Sequence, residues 1–375
     1  MQFIDLHKQR ERIKDEINAS IARVMEHGQY ILGPEVKAFE AALSEYGRAK
    51  YVLSCANGTD AIILALKAWN IGPGDAVFCP SFTYVATAEA IALLGATPIF
   101  IDIDRAFYTA CPTSLHEAIE AVKAKGELVP RAFISVDLFG QSADYRKLAP
   151  VCREFDLKII ADSAQAFGCT LDNHHPLHWA DVTTTSFFPA KPLGCYGDGG
   201  ALLTNDADMA SIVDSLRVHG KGDDKYDNVR IGLNSRLDTL QAAILLEKLK
   251  IFDDELMARQ NIAARYKLAF ENSGIITPAV IDGGTSTWAI YTVQVPNSDQ
   301  FIAAMSAANI PTPAYYPKPA HRQSAYQHYP LAPKGLPNTE TLRHHVVALP
   351  MHPYLSAADQ DFIIKTALQA IRLAA

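Results

Sequence analysis

The stretch YVLSCANGTDAIILALKAW, residues 51–69, decides the architecture. Residues 51–55 form an apolar, strand-like run, 59–69 carry a helical pattern, and Gly58-Thr59-Asp60 opens that helix directly after the strand. The unit recurs downstream. Apolar runs at 76–80 (AVFCP), 97–104 (TPIFIDID), 131–137 (RAFISVD) and 157–162 (LKIIAD) alternate with helical patterns at 84–94, 113–124 and 144–154. That alternation predicts an α/β fold with a mainly parallel sheet covered by helices on both faces. Two further strand candidates, 182–188 and 200–204, sit close together across a Gly-rich turn, and a helical stretch at 237–260 leads away from the sheet.

Upstream, residues 5–27 read as one amphipathic helix with Ile13, Ile17, Ile21 and Val24 on its apolar face, and Gly33-Pro34 starts a second helix through Gly47. The last third changes character. A strand at 288–295, a helix at 298–309, a Pro-rich connector and a final helix at 356–373 predict a smaller α+β unit. The expected division is a large domain over 1–250 and a small one over 251–375. At 375 residues the chain exceeds the roughly 250–300 at which one core stops growing.

Composition excludes several classes. A net charge of −7 without a basic block argues against nucleic acid. No apolar run approaches the roughly 20 residues of a membrane span, and the N-terminal MQFIDLHKQRERIKDEI is charged where a signal peptide is apolar. The six cysteines are widely spaced without a CxxC pair, so reduced core thiols are expected, and with them a cytoplasmic protein.

The chemistry gathers at predicted strand ends. In SFFPAKPLGCYGDGG (186–200), Lys191 lies between a strand and a Gly-rich turn, where partial desolvation would free its amine as a nucleophile. CANGTDA (55–61) offers backbone N–H groups at a helix start, suited to a phosphate or serving as a plain capping turn. Asp162 ends an apolar strand, where a carboxylate could hold a protonated pyridine nitrogen or cap the next segment; Gln165 could hydrogen-bond a phenolic oxygen. Tyr84 follows another strand end and could stack on a planar ring or simply pack. Together these features suit pyridoxal 5′-phosphate, whereas the GxGxxG of a nicotinamide-binding βαβ unit is missing from CANGTDA.

With FIDLHKQ near residue 3, HGQYILGPEV (27–36), the lysine motif, GLNSRLDTLQAAIL (232–245) and LPMHPYLS (349–356), the chain resembles the DegT/StrS-type sugar-nucleotide aminotransferases, a branch of the fold-type I pyridoxal-phosphate enzymes. The resemblance implies a seven-stranded, mainly parallel sheet and a cofactor joined to Lys191. It implies that Asp162 pairs with the pyridine nitrogen, Gln165 approaches the ring oxygen and Tyr84 stacks on the ring. Gly58, Thr59 and Ser186 would bind the phosphate, with Asn234 reaching it from the neighbouring subunit of a homodimer. It further implies L-glutamate as amino donor and a nucleotide-linked keto-sugar as acceptor. The UDP-linked 3-keto-N-acetylglucosamine or its uronate comes first, for surface polysaccharide precursors such as O-antigen, and a 4-keto-6-deoxy sugar second. A non-catalytic cofactor-binding regulator is the rival of a different class, and no output module supports it. Relatives that act as sugar dehydratases carry His at the lysine position, which Lys191 argues against.

For the sugar, the candidates are Arg236, Tyr315, Tyr316, Lys318 and His321, while Lys221, Lys225 and Arg230 belong to a polar stretch that could cover the nucleotide or form a plain loop. Three positions depart from the family: Ala161 replaces a usual Glu, Ala190 a frequent Ser or Thr, and Tyr315 a common His.

Overall fold

The computed structural model describes residues 1–374 apart from Lys225. The chain opens with two helices where one was expected: α1 (Leu6–Arg12), capped by Asp5 Oδ1 accepting from Lys8 N–H at 3.0 Å, and α2 (Lys14–His27). Ile13 separates them with φ −130° and ψ 33°. Ile13 and Ile17 are both buried in one cluster with Ile244, so the apolar spacing runs straight across the break and periodicity alone does not reveal it. Helix α3 (Pro34–Gly47) begins on Pro34, as predicted.

Strands and helices then alternate: β1 (Tyr51–Cys55), α4 (Gly58–Ala68), β2 (Asp75–Pro80), α5 (Ala86–Leu93), β3 (Thr97–Ile101), α6 (Pro112–Lys125), β4 (Val129–Val136), α7 (Tyr145–Glu154), β5 (Lys158–Asp162), β6 (Val182–Ser186) and β7 (Gly200–Thr204). They form one seven-stranded sheet in the order β1-β7-β6-β5-β4-β2-β3. Strand β7 is antiparallel to both neighbours and every other pairing is parallel. Helix α4 is apolar nearly all round, with Ala61 to Leu66 buried, which is the composition of a helix enclosed in a core. The run at 97–104 stops early at Ile101. Asp102 instead turns its buried carboxylate to accept from Asn338 and Thr339 N–H, both at 2.9 Å, tying the sheet edge to a distant helix start.

Beyond the sheet come α8 (Ala207–Leu216), α9 (Thr239–Leu249) and α10 (Phe252–Ala269); the helical stretch predicted at 237–260 is split at Lys250-Ile251. The remainder is β8 (Tyr291–Gln294), α11 (Ser298–Ala307), α12 (Pro337–Leu342), β9 (Val346–Leu349) and α13 (Ala357–Ala374). Strands β8 and β9 pair antiparallel, and a separate hydrophobic cluster with Tyr266, Tyr291, Val293, Phe301 and Ile363 packs around them. The four-residue β9 carried no periodic signal of its own. Not all of this last third stays on that cluster. Ala320, Ala332 and Leu336 join the large core, and Phe100 exchanges backbone hydrogen bonds with Pro330 and Ala332 at 3.0 and 2.8 Å. All six cysteines are free, and no helix among the described residues is long and apolar enough to cross a membrane.

One row of the sheet sets the working edge. Cys55 pairs with Gly200, and Gly200 with Ser186, so the starts of the turns after β1 and β6 lie side by side. A Cβ on Gly200 would sit 2.4 Å from the Asn57 carbonyl oxygen, which is backbone and cannot swing away. Gly200→Ala is therefore expected to destabilise the fold by about 3 kcal/mol, an overpacking cost against rigid neighbours, visible as a lowered urea midpoint.

Candidate active site

Helix α4 begins at Gly58 beside the end of β6. Asn57 Oδ1 caps it by accepting from Asp60 N–H at 2.8 Å, and the Asn57 carbonyl accepts from Ala61. Gly58 and Thr59 N–H have no acceptor recorded among the described residues, so the first turn presents two donors and a hydroxyl at its positive end. A Cβ on Gly58 would lie 2.7 Å from Ser186 Cβ; the missing side chain is what lets the helix start and the Ser186 hydroxyl share one cradle. The capping reading of CANGTDA thus holds, with Asn57 as the cap, and the Gly58 and Thr59 N–H groups are left without an acceptor among the described residues.

Asp162 closes β5 and is buried, 7% exposed. Burial pushes its carboxyl upward, opposed by Ala164 N–H at 3.1 Å on Oδ1, by the charge of Lys191 and by the Thr87 hydroxyl at 3.5 Å on Oδ2. Lys191 stands in the turn between β6 and β7, held by its own N–H donating to Phe188 O at 2.8 Å. Burial pushes its ammonium below the ordinary lysine value, and Asp162 pulls it partly back. The two charges therefore lean on each other in a setting that penalises both.

Gln165 orients unambiguously. Its Oε1 accepts from Phe139 N–H at 2.7 Å, which only an oxygen can do, so Nε2 faces the other way and donates to the Tyr316 hydroxyl at 3.2 Å. Thr287 Oγ1 donates to the Gln165 carbonyl at 2.8 Å and fixes the turn. Tyr316 is buried enough that its phenol is pushed well up, and the charges of Asp162, Tyr84 and Tyr315 all act on it. Tyr84, at the start of the α5 turn, is 59% exposed, so its ring is open to a planar partner.

The remaining candidates separate. Asn234 and Asp238 are exposed while Ser235 and Leu237 are buried, an alternation that leaves Asn234 pointing away from its own chain. Ser235 faces inward and accepts from Ala56 N–H at 3.2 Å, which sets this stretch beside the α4 cradle. Arg236 is half-buried, and its Nε is enclosed without a partner among the described residues. Tyr315 is half-buried with its ring 6.4 Å from Phe3, so the N-terminal FIDL segment reaches this loop. Lys318 is exposed.

His321 departs from the expectation of a sugar contact. It is buried, with Nδ1 on the Ser81 hydroxyl and Nε2 on Glu340, both at 2.6 Å, and burial pushes its pKa down while Glu340 pushes back. Both ring nitrogens are spent clamping the turn after β2 to α12. Lys221 and Arg230 line a cleft of about 560 Å³ with Asp214 and Asp223, and Arg230 Nη1 donates to Ser215 Oγ at 3.2 Å; Lys225 lies outside the described residues. Sequence reasoning did not find Thr87 or the Phe139 N–H. Thr87 lies within the quoted SFTYVATAEA, one helical turn after Thr83; the backbone donor has no signature in side-chain identity.

A lysine whose ammonium burial disfavours, acted on by the charge of a buried carboxylate at an edge that also carries unshared helix-start N–H groups, suits a pyridoxal-phosphate enzyme. The sequence profile of the DegT/DnrJ/EryC1/StrS aminotransferase family matches residues 11–368, and the chain belongs to that family. It is 46% identical over 365 residues to the UDP-2-acetamido-2-deoxy-3-oxo-D-glucuronate aminotransferase of Pseudomonas aeruginosa, covering 97% of this chain and 98% of that one. A crystal structure of a DegT DnrJ EryC1 StrS aminotransferase from Brucella abortus superposes with a TM-score of 0.97 at 50% identity over 99% of both chains. NtdA from Bacillus subtilis, solved with bound cofactor PMP, gives 0.88 at 28% identity over 99% of this chain and 83% of that one. The chain is a pyridoxal-phosphate-dependent aminotransferase, and the cradle and Lys191–Asp162 pair fit that cofactor. The sheet read from strand–helix alternation is the one observed.

Because burial lowers Lys191, its amine is neutral at a lower pH than exposed lysines. A limiting amount of an acylating reagent near neutral pH is expected to modify Lys191 ahead of surface lysines in the cofactor-free protein, with pyridoxal phosphate protecting it, as read by peptide mass mapping.

Proposed function

We propose that the chain moves the amino group of L-glutamate onto a UDP-linked 3-keto-N-acetylglucosamine, with the uronate as the preferred form, in the supply of surface polysaccharide precursors. The observation that carries the uronate is Arg236, whose enclosed Nε has no partner among the described residues and suits a carboxylate held by two parallel hydrogen bonds. The Pseudomonas relative, by its name, acts on such a uronate. The working unit is a cytoplasmic homodimer: Asn234 points outward beside the cradle, and Ile231 and Val229 on the same stretch are 88% and 54% exposed, apolar surface that a second copy would cover. Residues 1–250 form the cofactor domain and 251–375 the smaller one, which lends Tyr315 and Tyr316 and returns 320–336 to the large core.

In this reading Gly58, Thr59 and Ser186 hold the cofactor phosphate, joined by the partner's Asn234. Asp162 would keep a proton on the pyridine nitrogen, Gln165 Nε2 would donate to the ring oxygen, and Tyr84 would cover the ring. Bound pyridoxal phosphate supplies the electron sink that makes the donor's Cα acidic. Lys191 Nζ, whose ammonium burial disfavours, would carry that Cα proton to the cofactor's 4′ carbon and in the return half would carry it from there to the sugar carbon receiving nitrogen. Tyr315 and Lys318 border the sugar, and the structural clamp of His321 holds their loop.

Conversion to the pyridoxamine form with glutamate, followed by separate additions of the 3-keto uronate, its neutral analogue and a UDP-4-keto-6-deoxy sugar, tests this directly. Return of the yellow form is expected with the uronate. Arg236→Ala should raise KM for the uronate about 100-fold, the loss of a bidentate ion pair, and leave the neutral analogue little changed. Return with the 4-keto sugar alone would overturn the substrate, and multiple turnovers by Lys191→Ala would overturn the mechanism.

A further inference from the structure

Behind the cofactor edge lies a polar layer that the catalytic reading leaves unused. Ser135 pairs with Ala161 and Val136 with Asp162, and the ladder continues as Asp137 N–H donates to Asp162 O at 3.0 Å. Alternation along the strands then puts Ser135, Asp137, Ala161 and Ser163 on the face opposite the Asp162 side chain. Asp137 is fully buried there. Its Oδ1 accepts from Ala143 N–H at 2.8 Å and from the Tyr145 hydroxyl at 2.9 Å, and its Oδ2 from the Ser163 hydroxyl at 2.5 Å. Two residues on, Phe139 N–H grips Gln165 Oε1. The segment 137–139 thus holds both ends of the Asp162–Gln165 turn.

We propose that Asp137 is a positioning residue for the cofactor, its carboxyl holding that turn from behind so that the Asp162 carboxylate and the Gln165 amide face the ring. The proposal rests on the reading of Asp162 and Gln165 as cofactor contacts. No salt bridge involves Asp137 among the described residues, and an unpaired buried carboxylate is a costly way to gain stability alone. Ser163 also borders a cavity of about 10 Å³ with Thr183, room for one water.

Burial pushes the Asp137 carboxyl up to about 7, against the pull of Ser163, Ala143 N–H and Tyr145, with the Asp162 charge adding to the rise; Cys169 is the other ionisable neighbour. Its folded value lies above its unfolded one, so the stability it contributes is complete at low pH and is lost as pH rises through about 7. Asparagine imitates the neutral acid and not the carboxylate.

The test uses pyridoxamine phosphate, which forms no bond to Lys191, titrated into cofactor-free full-length protein by fluorescence quenching. Asp137→Ala and Ser163→Ala are each expected to weaken binding about tenfold, the worth of one hydrogen bond to a charged group. Asp137→Asn should match the wild type below pH about 7 and exceed it above, where only the wild type must carry a buried charge. The thermal midpoint of Ser163→Ala without cofactor should stay within a few degrees of wild type. Unchanged affinity in Ser163→Ala, together with an Asp137→Asn affinity equal to wild type at every pH, would overturn the proposal even if Asp137→Ala does not fold. Failure of the wild type to bind pyridoxamine phosphate would instead overturn the cofactor-site reading on which it rests.

Discussion

The close approach of the turn after β1 to the ends of β6 and β7 is the constraint on which the rest depends. Gly58 against Ser186 and Gly200 against Asn57 leave no room for a single Cβ. Backbone contact at that distance brings the N-terminus of α4, with its unshared N–H groups, onto the sheet edge that carries Asp162 and Lys191. A side chain at either glycine would move the helix start away from the ends of β6 and β7. The antiparallel β7 serves the same end: inserted between β1 and β6, it makes Cys55, Gly200 and Ser186 one row.

Burial governs the chemistry as much as geometry does. Lys191 and Asp162 are both pushed toward their neutral forms by loss of water and pulled back by each other. Exposed, the same lysine would be a solvated cation and a poor nucleophile at neutral pH. His321 shows the other outcome of burial. Its surroundings supply a partner for each ring nitrogen, so it holds the β2 turn to α12 and has nothing left for a substrate.

The two sides of the molecule are tied by polar contacts made far apart in sequence. Gln9 of α1 donates to the buried Glu255 of α10 at 3.0 and 2.9 Å, and Tyr354 donates to the same carboxylate at 2.5 Å. Lys248 of α9, nearly enclosed, donates to Gly194 O at 2.6 Å and so steadies the Lys191 turn from beneath. Removing Glu255 or Lys248 would strand the buried polar atoms bonded to it.

The local pattern of the chain by itself determined the α/β fold and placed Lys191 and Asp162 close to strand ends of one sheet. Strand–helix alternation is a local property, and ligand-binding residues of such sheets fall where strands stop. The break at Ile13, the short β9, the return of 320–336 to the large core and the clamped state of His321 were decided by tertiary structure alone. In three of these the deciding partner is remote: β8 for β9, Phe100 for Pro330 and Ala332, and Ser81 with Glu340 for His321. Sequence spacing records which faces are apolar and which residues can react. Whether a polar side chain is free to act depends on what folding places against it, and that contact has no local trace in the chain.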